Sequence, residues 1–485
     1  MKRTTLPAFV VGLVVSVALL GCGSRRQAAA VPPAPLRATD INLIFVVSED
    51  VGFSGTGDIN PTTANLTGQG LDRALLLGQY LKQQVLGGEN ATTIYALAPM
   101  THLQTANHYP DMVPLETVEQ FAMQNQVAIS SPGSPAVPGN SYPIYASYAP
   151  GPLPNNVAQP VLSCPSCQGL VFDDGNGDNL SLADGILAAN VPGFYVLSAP
   201  WETIHALMDD LNQQKGYHLA TPGAYAGPDS VYAFAVGSTG ARLVTYNAAL
   251  QPKPAYPDLI PLSEVSGTCT ATQFNVAVTV GSGGAMLPDG GNRSETVYMI
   301  RHAEAHPATD WDDGNYIAAG QWRALLLPQA LRNKIHPTMV FAVDPATGIP
   351  ADPSEGAITS SYVRPALTVE PYAIAGNFPL NLASTVPLFA QNAPQLATDA
   401  SAFFFTGGTF SNQTLLVAWE HDHIPPTVQA LLASYNSSQT VPKWSDGDYD
   451  TIWTVRIDAQ GNLMIDNANC EGINTRLLPP LAPRM

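Results

Sequence analysis

The chain has 485 residues, 45% of them hydrophobic, which is enough for two to four domains with apolar cores. Only 12% of the residues are charged, and the formal net charge is −18. A surface this acidic repels nucleic acid and anionic lipid headgroups, so neither is an expected partner of the protein body.

The N-terminus has the pattern of an export signal. Basic residues precede an apolar run over residues 6–20, which is too short to span a membrane comfortably. The run ends in Leu19-Leu20-Gly21-Cys22, and this ending resembles the lipobox of bacterial lipoprotein signal peptides. The resemblance implies that residues 1–21 are a lipoprotein signal peptide and that Cys22 is the lipidated residue. An ordinary secretory signal is the alternative.

The same resemblance implies a place in the cell envelope. Gly23 follows the cysteine where an Asp would retain a lipoprotein in the inner membrane, so the outer membrane or periplasm is expected. Residues 22–39 are predicted as a tether, and the lipid is then the only expected membrane contact.

Cysteines in an exported protein form disulfides more often than metal sites. Four cysteines remain after Cys22, and four cysteines allow three pairings. We favour Cys164 with Cys167 and Cys269 with Cys470. The two cysteines of Cys164-Pro-Ser-Cys167 have redox spacing, but they lie in a Pro/Ser-rich stretch. An acidic stretch at residues 173–184 resembles a calcium loop, yet it lacks the Gly at the sharp turn, so a solvated turn is the better interpretation.

An internal repeat divides the chain. Residues 70–77 match residues 320–327: each segment begins with Gly and ends in Arg-Ala-Leu-Leu-Leu. The predicted domains are residues 40–252 and 293–485, joined by a linker at 253–292.

Both halves alternate apolar strands with helices, the pattern of a parallel sheet that is covered on both faces. The sequence therefore predicts an α/β protein of two tandem three-layer α/β/α domains. The main predicted strands are 43–47, 93–97, 194–198, 297–300, 339–343 and 415–418.

The second half carries the residues that could form a reactive site. Arg301 and His302 follow a buried strand, and the carboxyl edge of an α/β sheet is where ligands bind. Arg364 begins a predicted helix, and His421 follows a later strand. Guanidinium groups suit phosphate oxygens, and nearby Arg charges favour a neutral, nucleophilic imidazole.

These motifs resemble the histidine phosphatase superfamily, which has the phosphoglycerate-mutase-like fold. The resemblance covers residues 293–475, with Ala303 in place of the family's Gly and Thr368-Val369 in place of its Thr-Ala pair. It implies a phosphorylated small-molecule substrate and no metal or organic cofactor.

The resemblance also implies roles for the site residues. His302 is the expected phosphate acceptor, Arg301, Arg364 and His421 are the expected phosphate ligands, and Asp422 is the expected general acid. Glu304 and Glu420 are alternative acids.

The first half lacks these residues. Val47-Ser48 stands where Arg301-His302 is found, and Thr101 stands where Arg364 is found. We therefore expect an inactive, degenerate copy beside a phosphomonoesterase. A pseudophosphatase that binds an anion without turnover and a scaffold protein are the alternatives.

Overall fold

The computed structural model of the protein describes most of the chain after the predicted signal peptide. The described residues are 33–48, 60, 62–99, 103–104, 109–125, 128–129, 137–138, 142–146, 179–267, 269, 271–305, 313–349, 360–383 and 394–483. Of the features predicted from the sequence, the signal peptide, Cys22, Cys164, Cys167 and Thr101 lie outside these residues.

The described strands and helices alternate through both halves. The strands are β1 (Ile41–Val47), β2 (Thr93–Ala96), β3 (Leu103–Gln104), β4 (Tyr109–Pro110), β5 (Ala128–Ile129), β6 (Val137–Pro138), β7 (Ile144–Tyr145), β8 (Gly193–Ala199), β9 (Ser230–Gly237), β10 (Gly240–Asn247), β11 (Asn275–Val278), β12 (Glu295–Arg301), β13 (Met339–Ala342), β14 (Gly348–Ile349), β15 (Ser360–Ser361), β16 (Leu380–Leu382), β17 (Thr414–Trp419), β18 (Thr451–Ile457) and β19 (Leu463–Cys470). The α-helices are α1 (Gly68–Tyr80), α2 (Val113–Gln124), α3 (Asn179–Ala189), α4 (Trp201–Lys215), α5 (Leu262–Val265), α6 (Ala318–Leu331), α7 (Arg364–Gly376), α8 (Pro394–Phe405) and α9 (Ile424–Ser434).

Two large sheets organise the fold, and the six predicted main strands all occur. The first sheet has the order β10-β9-β1-β8-β2-β7, and the second has the order β11-β19-β18-β12-β17-β13-β16. Without β11, the two orders correspond strand for strand. The protein is thus a mixed α/β protein with two sheets of the same topology.

The sheets are mixed, whereas the strand–helix alternation predicted parallel ones. In the first sheet β1 pairs parallel with β8 but antiparallel with β9. In the second sheet β12 pairs parallel with β17 but antiparallel with β18. The reason is that each half closes with a hairpin, and a short turn can join only antiparallel neighbours.

Alternating side chains of β1 enter different cores, as expected for a strand that is buried on both faces. Ile44 and Val46 belong to one cluster of buried residues, and Leu43 and Phe45 belong to another. The second cluster includes residues of α3 and α4, such as Ile204. The corresponding outer face of the second sheet packs against α8 and α9.

The inner faces of the two sheets share one core. Buried residues of α1, α2, α6 and α7 form a single cluster with inner-face residues of both sheets. Gln321 of α6 donates a 2.7 Å hydrogen bond to Gln120 of α2 inside this layer. Residues Pro33–Met485 accordingly form one compact unit rather than two separate globules.

The predicted linker is part of this structure. Its strand β11 pairs with β19 at the edge of the second sheet, and Cys269 is bonded to Cys470. Tyr256 donates a 2.8 Å hydrogen bond to the carbonyl of Leu325. The segment is therefore more than a connector, because edge pairing, a disulfide and a half-buried tyrosine attach it to the second half.

The end of the predicted tether also packs on the fold. Leu36 is buried, and its backbone N–H donates to Val85 over 2.9 Å. Tyr246 donates to the carbonyl of Ala34 over 2.9 Å. A free tether would thus end before residue 34. Within the described residues, no helix has both the length and the hydropathy of a membrane span.

One buried ion pair recurs in both halves. Arg73 of α1 pairs with Asp229, just before β9, and Arg323 of α6 pairs with Asp450, just before β18; both N···O distances are 3.1 Å. The matched sequence segments at 70–77 and 320–327 therefore occupy matching positions relative to their hairpins.

Candidate active site

The candidate site lies at the carboxyl edge of the second sheet. Arg301 is the last residue of β12 and stands opposite Trp419, the last residue of β17. The backbone N–H of His302 donates to the Trp419 carbonyl over 2.8 Å. His302 directly follows β12 and Glu420 directly follows β17, so these two residues lie side by side at the edge of the sheet.

His302 is buried, and only 2% of its surface is exposed to solvent. Its Nδ1 lies 2.7 Å from the carbonyl oxygen of Ala303, and its Nε2 lies 2.9 Å from Oε2 of Glu420. A carbonyl oxygen only accepts, so Nδ1 carries a hydrogen and Nε2 is the atom available for nucleophilic attack.

The electrostatic surroundings favour the neutral imidazole. Burial lowers the pKa of His302, the carboxylate of Glu420 opposes this effect, and the charges of Arg364 and Arg301 lower it further. The net direction is downward, which suits a nucleophile that must attack without a proton on Nε2.

Glu420 connects the two histidines of the site. Oε2 accepts hydrogen bonds from His302 Nε2 at 2.9 Å and from the Tyr362 hydroxyl at 2.8 Å. Oε1 accepts from the backbone N–H of His421 at 3.0 Å and is in contact with His421 Nδ1. Burial alone would raise the pKa of Glu420, but the neighbouring His302 and His421 hold it well below its ordinary value.

The two arginines are buried and lie against aromatic rings. Arg301 lies over the ring of Tyr449 at 3.9 Å, and Arg364 lies 5.2 Å from the ring of Tyr362. Nη1 of Arg301 donates to the carbonyl of Asp446 at 2.5 Å. Its Nε is buried without a hydrogen-bond partner among the described residues, so a strong donor remains for an anion.

The His302 ring lies between the same two tyrosines. Its centroid is 6.1 Å from that of Tyr362 and 6.3 Å from that of Tyr449, both in edge arrangements. The sequence interpretation missed both tyrosines. Tyr362 lies two residues before Arg364 and could have been found from that proximity, whereas Tyr449 has no motif around it.

The remaining predicted residues are placed differently. His421 is brought to the site through Glu420, and its Nε2 lies 3.3 Å from Oδ1 of Asp446. Asp422 is not brought to His302: its side chain is 65% exposed and lies 3.8 Å from His421 Nε2. Of the predicted set, the structure therefore gathers Arg301, His302 and Arg364 directly, and His421 through one carboxylate.

Glu304, an alternative acid, belongs to a buried ion-pair network. Both its oxygens accept from Arg323 at 2.9–3.1 Å, and Oε1 also accepts from Thr475. Gly320 allows α6 to approach the backbone of Glu304 closely, since a Cβ at this position would lie 2.4 Å from the Glu304 carbonyl oxygen. Glu304 thus holds α6 against the segment that follows β12.

The first half has a matching edge without the cation and imidazole. Val47 ends β1, and the backbone N–H of Ser48 donates to Ala199 at the end of β8 over 3.1 Å. This is the same backbone contact that His302 makes with Trp419. The fold thus provides the same position in both halves, and only the second half places His there.

Metal ligands are not grouped in the part of the chain that the structure describes. No set of three or more His, Cys, Asp or Glu side chains in these residues is arranged to hold a metal ion. The chemical character of the candidate site is that of two guanidiniums, two imidazoles and one carboxylate.

Comparisons with known proteins give only weak likenesses. No family model and no curated protein matches the chain. Among solved structures, a protein of Agrobacterium tumefaciens with the provisional assignment phosphohistidine phosphatase SixA is 14% identical, with a TM-score of 0.20, over 34% of this chain and 93% of that one.

Two further solved structures are comparable. A SixA protein of Nakamurella multipartitia with the same provisional assignment is 14% identical, with a TM-score of 0.21, over 40% of this chain and 93% of that one. A mutant phosphoserine phosphatase of Entamoeba histolytica in complex with phosphoserine is 13% identical, with a TM-score of 0.19, over 38% of this chain and 100% of that one. At these TM-scores the likenesses carry no argument about fold or activity.

Proposed function

We propose that the protein is a phosphomonoesterase of the histidine phosphatase type, with a phosphoglycerate-mutase-like second half and a phosphohistidine intermediate on His302. The observation that carries the proposal is the orientation of the His302 ring. Nδ1 is held by the Ala303 carbonyl, and Nε2 is directed toward the cluster of Glu420, Arg301 and Arg364.

The residues of the cluster fit a phosphate dianion. The buried Nε of Arg301 is a donor without a partner within the described chain, and a second guanidinium lies close enough to lower the pKa of His302. Fixed positive charge stabilises the equatorial oxygens during transfer, and covalent capture divides one difficult displacement into two easier steps.

Hydrolysis of an aryl phosphate by the full chain in detergent tests the proposal. We expect turnover by the wild type, none above background by His302→Ala, and an acid-labile phosphoenzyme on rapid mixing with a labelled phosphate ester. His336→Ala, at an exposed position, is the matched control and should retain activity. Equal activity of wild type and His302→Ala would refute the proposal.

An anion-binding protein without turnover is the second candidate. One observation favours it: the Glu420 carboxylate contacts Nε2 at 2.9 Å, so an anion held by the two guanidiniums would find the nucleophilic atom already engaged. Saturable binding of phosphate or vanadate by the full chain, with no turnover of any ester, would support this candidate over the enzyme.

The first half fits the role of a degenerate copy in this proposal. The common strand order and the recurring Arg–Asp pair support a duplication, and Ser48 at the position of His302 removes the nucleophile. Its helices share a core with those of the second half, so it would act as a structural partner of the active half.

Envelope attachment completes the proposal. The lipobox-like ending at Cys22 supports a lipid anchor, with the folded unit exposed to a phosphorylated small molecule in the periplasm. Metabolic labelling with a palmitate analogue, lost in Cys22→Ser, would test the anchor independently of catalysis.

A further inference from the structure

Thr368 lies in the second turn of α7 and is completely buried. Its hydroxyl donates to the carbonyl of Arg364, one turn earlier, over 2.7 Å. The same oxygen accepts a 2.8 Å hydrogen bond from the backbone N–H of Ala303. One hydroxyl therefore joins the helix that begins with Arg364 to the residue that directly follows His302.

The bond to Ala303 bears on the orientation of the nucleophile. The carbonyl oxygen of Ala303 lies 2.7 Å from Nδ1 of His302, and this contact determines which ring nitrogen carries the hydrogen. Thr368 holds the N–H of the same residue, so it restrains the backbone from which that carbonyl projects. Without this restraint, the contact that orients the His302 ring would lose its support.

Both hydrogen bonds of Thr368 are shielded from solvent. Ala303 and Thr368 have no exposed surface, and Arg364 is 3% exposed. Since the hydrogen of the hydroxyl is directed at Arg364, its oxygen can act toward Ala303 only as an acceptor. Removal of this acceptor would leave a buried N–H without a partner, which costs more free energy than the loss of an exposed hydrogen bond.

The same helix turn recurs in the first half. Helices α2 and α7 share the pattern Pro-x-x-Thr-Val-Glu, at residues 114–119 and 365–370. The hydroxyl of Thr117 donates to the carbonyl of Val113 over 2.7 Å, which is the bond that Thr368 makes within α7. The donated bond is therefore a property of this helix and does not depend on an active site.

The accepted bond distinguishes the two halves. Val113, rather than Thr101 as expected from the sequence, corresponds to Arg364. Within the described residues, no group donates to the hydroxyl of Thr117. The link from the helix to the end of the central strand is thus found in the half that has a nucleophile at that strand end.

We infer that Thr368 is a positioning residue of the reaction: through Ala303 it keeps Nε2 of His302 directed at a phosphate that Arg364 holds. The inference rests on the proposed function. Both contacts of the hydroxyl are with backbone groups rather than with reacting atoms, so Thr368 acts through the alignment of the attacking nitrogen. A misplacement of about 1 Å in such an alignment can cost about a hundredfold in rate.

Thr368→Val in the full chain tests the inference, because it keeps the shape of the side chain and removes both hydrogen bonds. We expect kcat and kcat/KM for an aryl phosphate to fall together by about 10- to 100-fold, with KM nearly unchanged, as for an interaction that is realised only in the transition state. Thr368→Ser keeps the hydroxyl and should retain most of the wild-type rate.

Two inhibitors distinguish positioning from a general loss of structure. Vanadate forms a bond with the attacking nitrogen, as the transition state does, whereas inorganic phosphate binds through charge and hydrogen bonds alone. In Thr368→Val the inhibition constant of vanadate should therefore rise by about the factor by which kcat/KM falls, and that of phosphate should stay close to the wild-type value. A merely structural role would not separate the two constants.

Thr117→Val is the matched control. It removes the equivalent helix bond in the first half, so it should lower the unfolding temperature while kcat stays at the wild-type value. Cysteine accepts hydrogen bonds only weakly, so Thr368→Cys and Thr117→Cys provide the same comparison if Thr368→Val does not fold.

The outcomes separate the inference from the function on which it rests. Wild-type kcat in Thr368→Val, equal weakening of vanadate and phosphate, or an equal loss of activity in Thr117→Val would overturn the role of Thr368 while leaving a working phosphatase. Absence of His302-dependent turnover in the wild type would instead overturn the proposed function.

Discussion

Nε2 of His302 and Oε2 of Glu420 lie 2.9 Å apart at the ends of adjacent parallel strands. The contact follows from strand register: Arg301 pairs with Trp419, and each strand is followed by one of the two residues. A nucleophile and a carboxyl group thus meet through backbone geometry that two distant sequence segments create together.

Tyr362→Phe tests the support of the carboxylate. It removes a 2.8 Å hydrogen bond to Oε2 of Glu420 but keeps the ring beside Arg364. Hydrogen bonds to charged groups contribute about 1.5–3 kcal/mol, so kcat/KM for an alkyl phosphate should fall roughly tenfold or more. Steady-state kinetics of Tyr449→Phe, which keeps the ring over Arg301, provides the control; equal losses in both variants would contradict the prediction.

The acid limb of the pH–rate profile reports the protonation of His302. Because burial and the two arginines lower the pKa of His302, the limb of kcat/KM in the wild type should lie below the ordinary value of 6.5. Arg364→Gln removes one of the lowering charges, so the limb should move to higher pH as the activity falls.

A profile measured for Arg332→Gln, at an exposed position, should match that of the wild type. An acid limb that stays in place in Arg364→Gln would show that this guanidinium does not act on the nucleophile.

Arg323 is expected to be important for stability rather than for chemistry. It pairs with Glu304, Asp450 and Glu471, and its own side chain is 3% exposed. Arg323→Met should lower the free energy of unfolding by about 3–5 kcal/mol, because it leaves buried carboxylates without their cation. Urea denaturation measures the loss.

Arg456→Met breaks the partly exposed pair with Asp466 and should cost no more than about 1 kcal/mol. Similar losses in the two variants would show that burial of the Arg323 network does not determine its contribution.

The buried carboxyl of Glu116 in α2 should make stability depend on pH. Burial raises its pKa from 4.5 to about 8 in the folded chain, so the native state binds more protons than the unfolded state between these values. The contribution to stability is therefore complete below about pH 4.5 and is lost as pH rises through about 8, by up to roughly 5 kcal/mol.

Glu116→Gln should flatten this part of the curve when unfolding is measured from pH 5 to 8. The exposed Glu264→Gln should leave the curve unchanged. A wild-type protein whose stability rises with pH over this range would contradict the assignment of a neutral Glu116.

The sequence alone was sufficient for the six main strands and for part of the site. Apolar runs located β1, β8, β12 and β17 to within a residue or two, because strands buried on both faces must be continuously hydrophobic. The Arg-His pair at the end of β12 was informative for the same reason, since a strand end fixes where its last and next side chains lie.

The tertiary structure decided the relations that depend on several segments at once. Glu420, His421 and Asp422 are consecutive, and no local pattern distinguishes the one that turns toward His302 from the one that turns to solvent. Tyr449 reaches Arg301 from a loop that is distant in sequence, and the helices of both halves bury one another in a common core. Local sequence specifies backbone propensity and burial pattern, whereas the direction of a loop side chain is set by contacts with residues far along the chain.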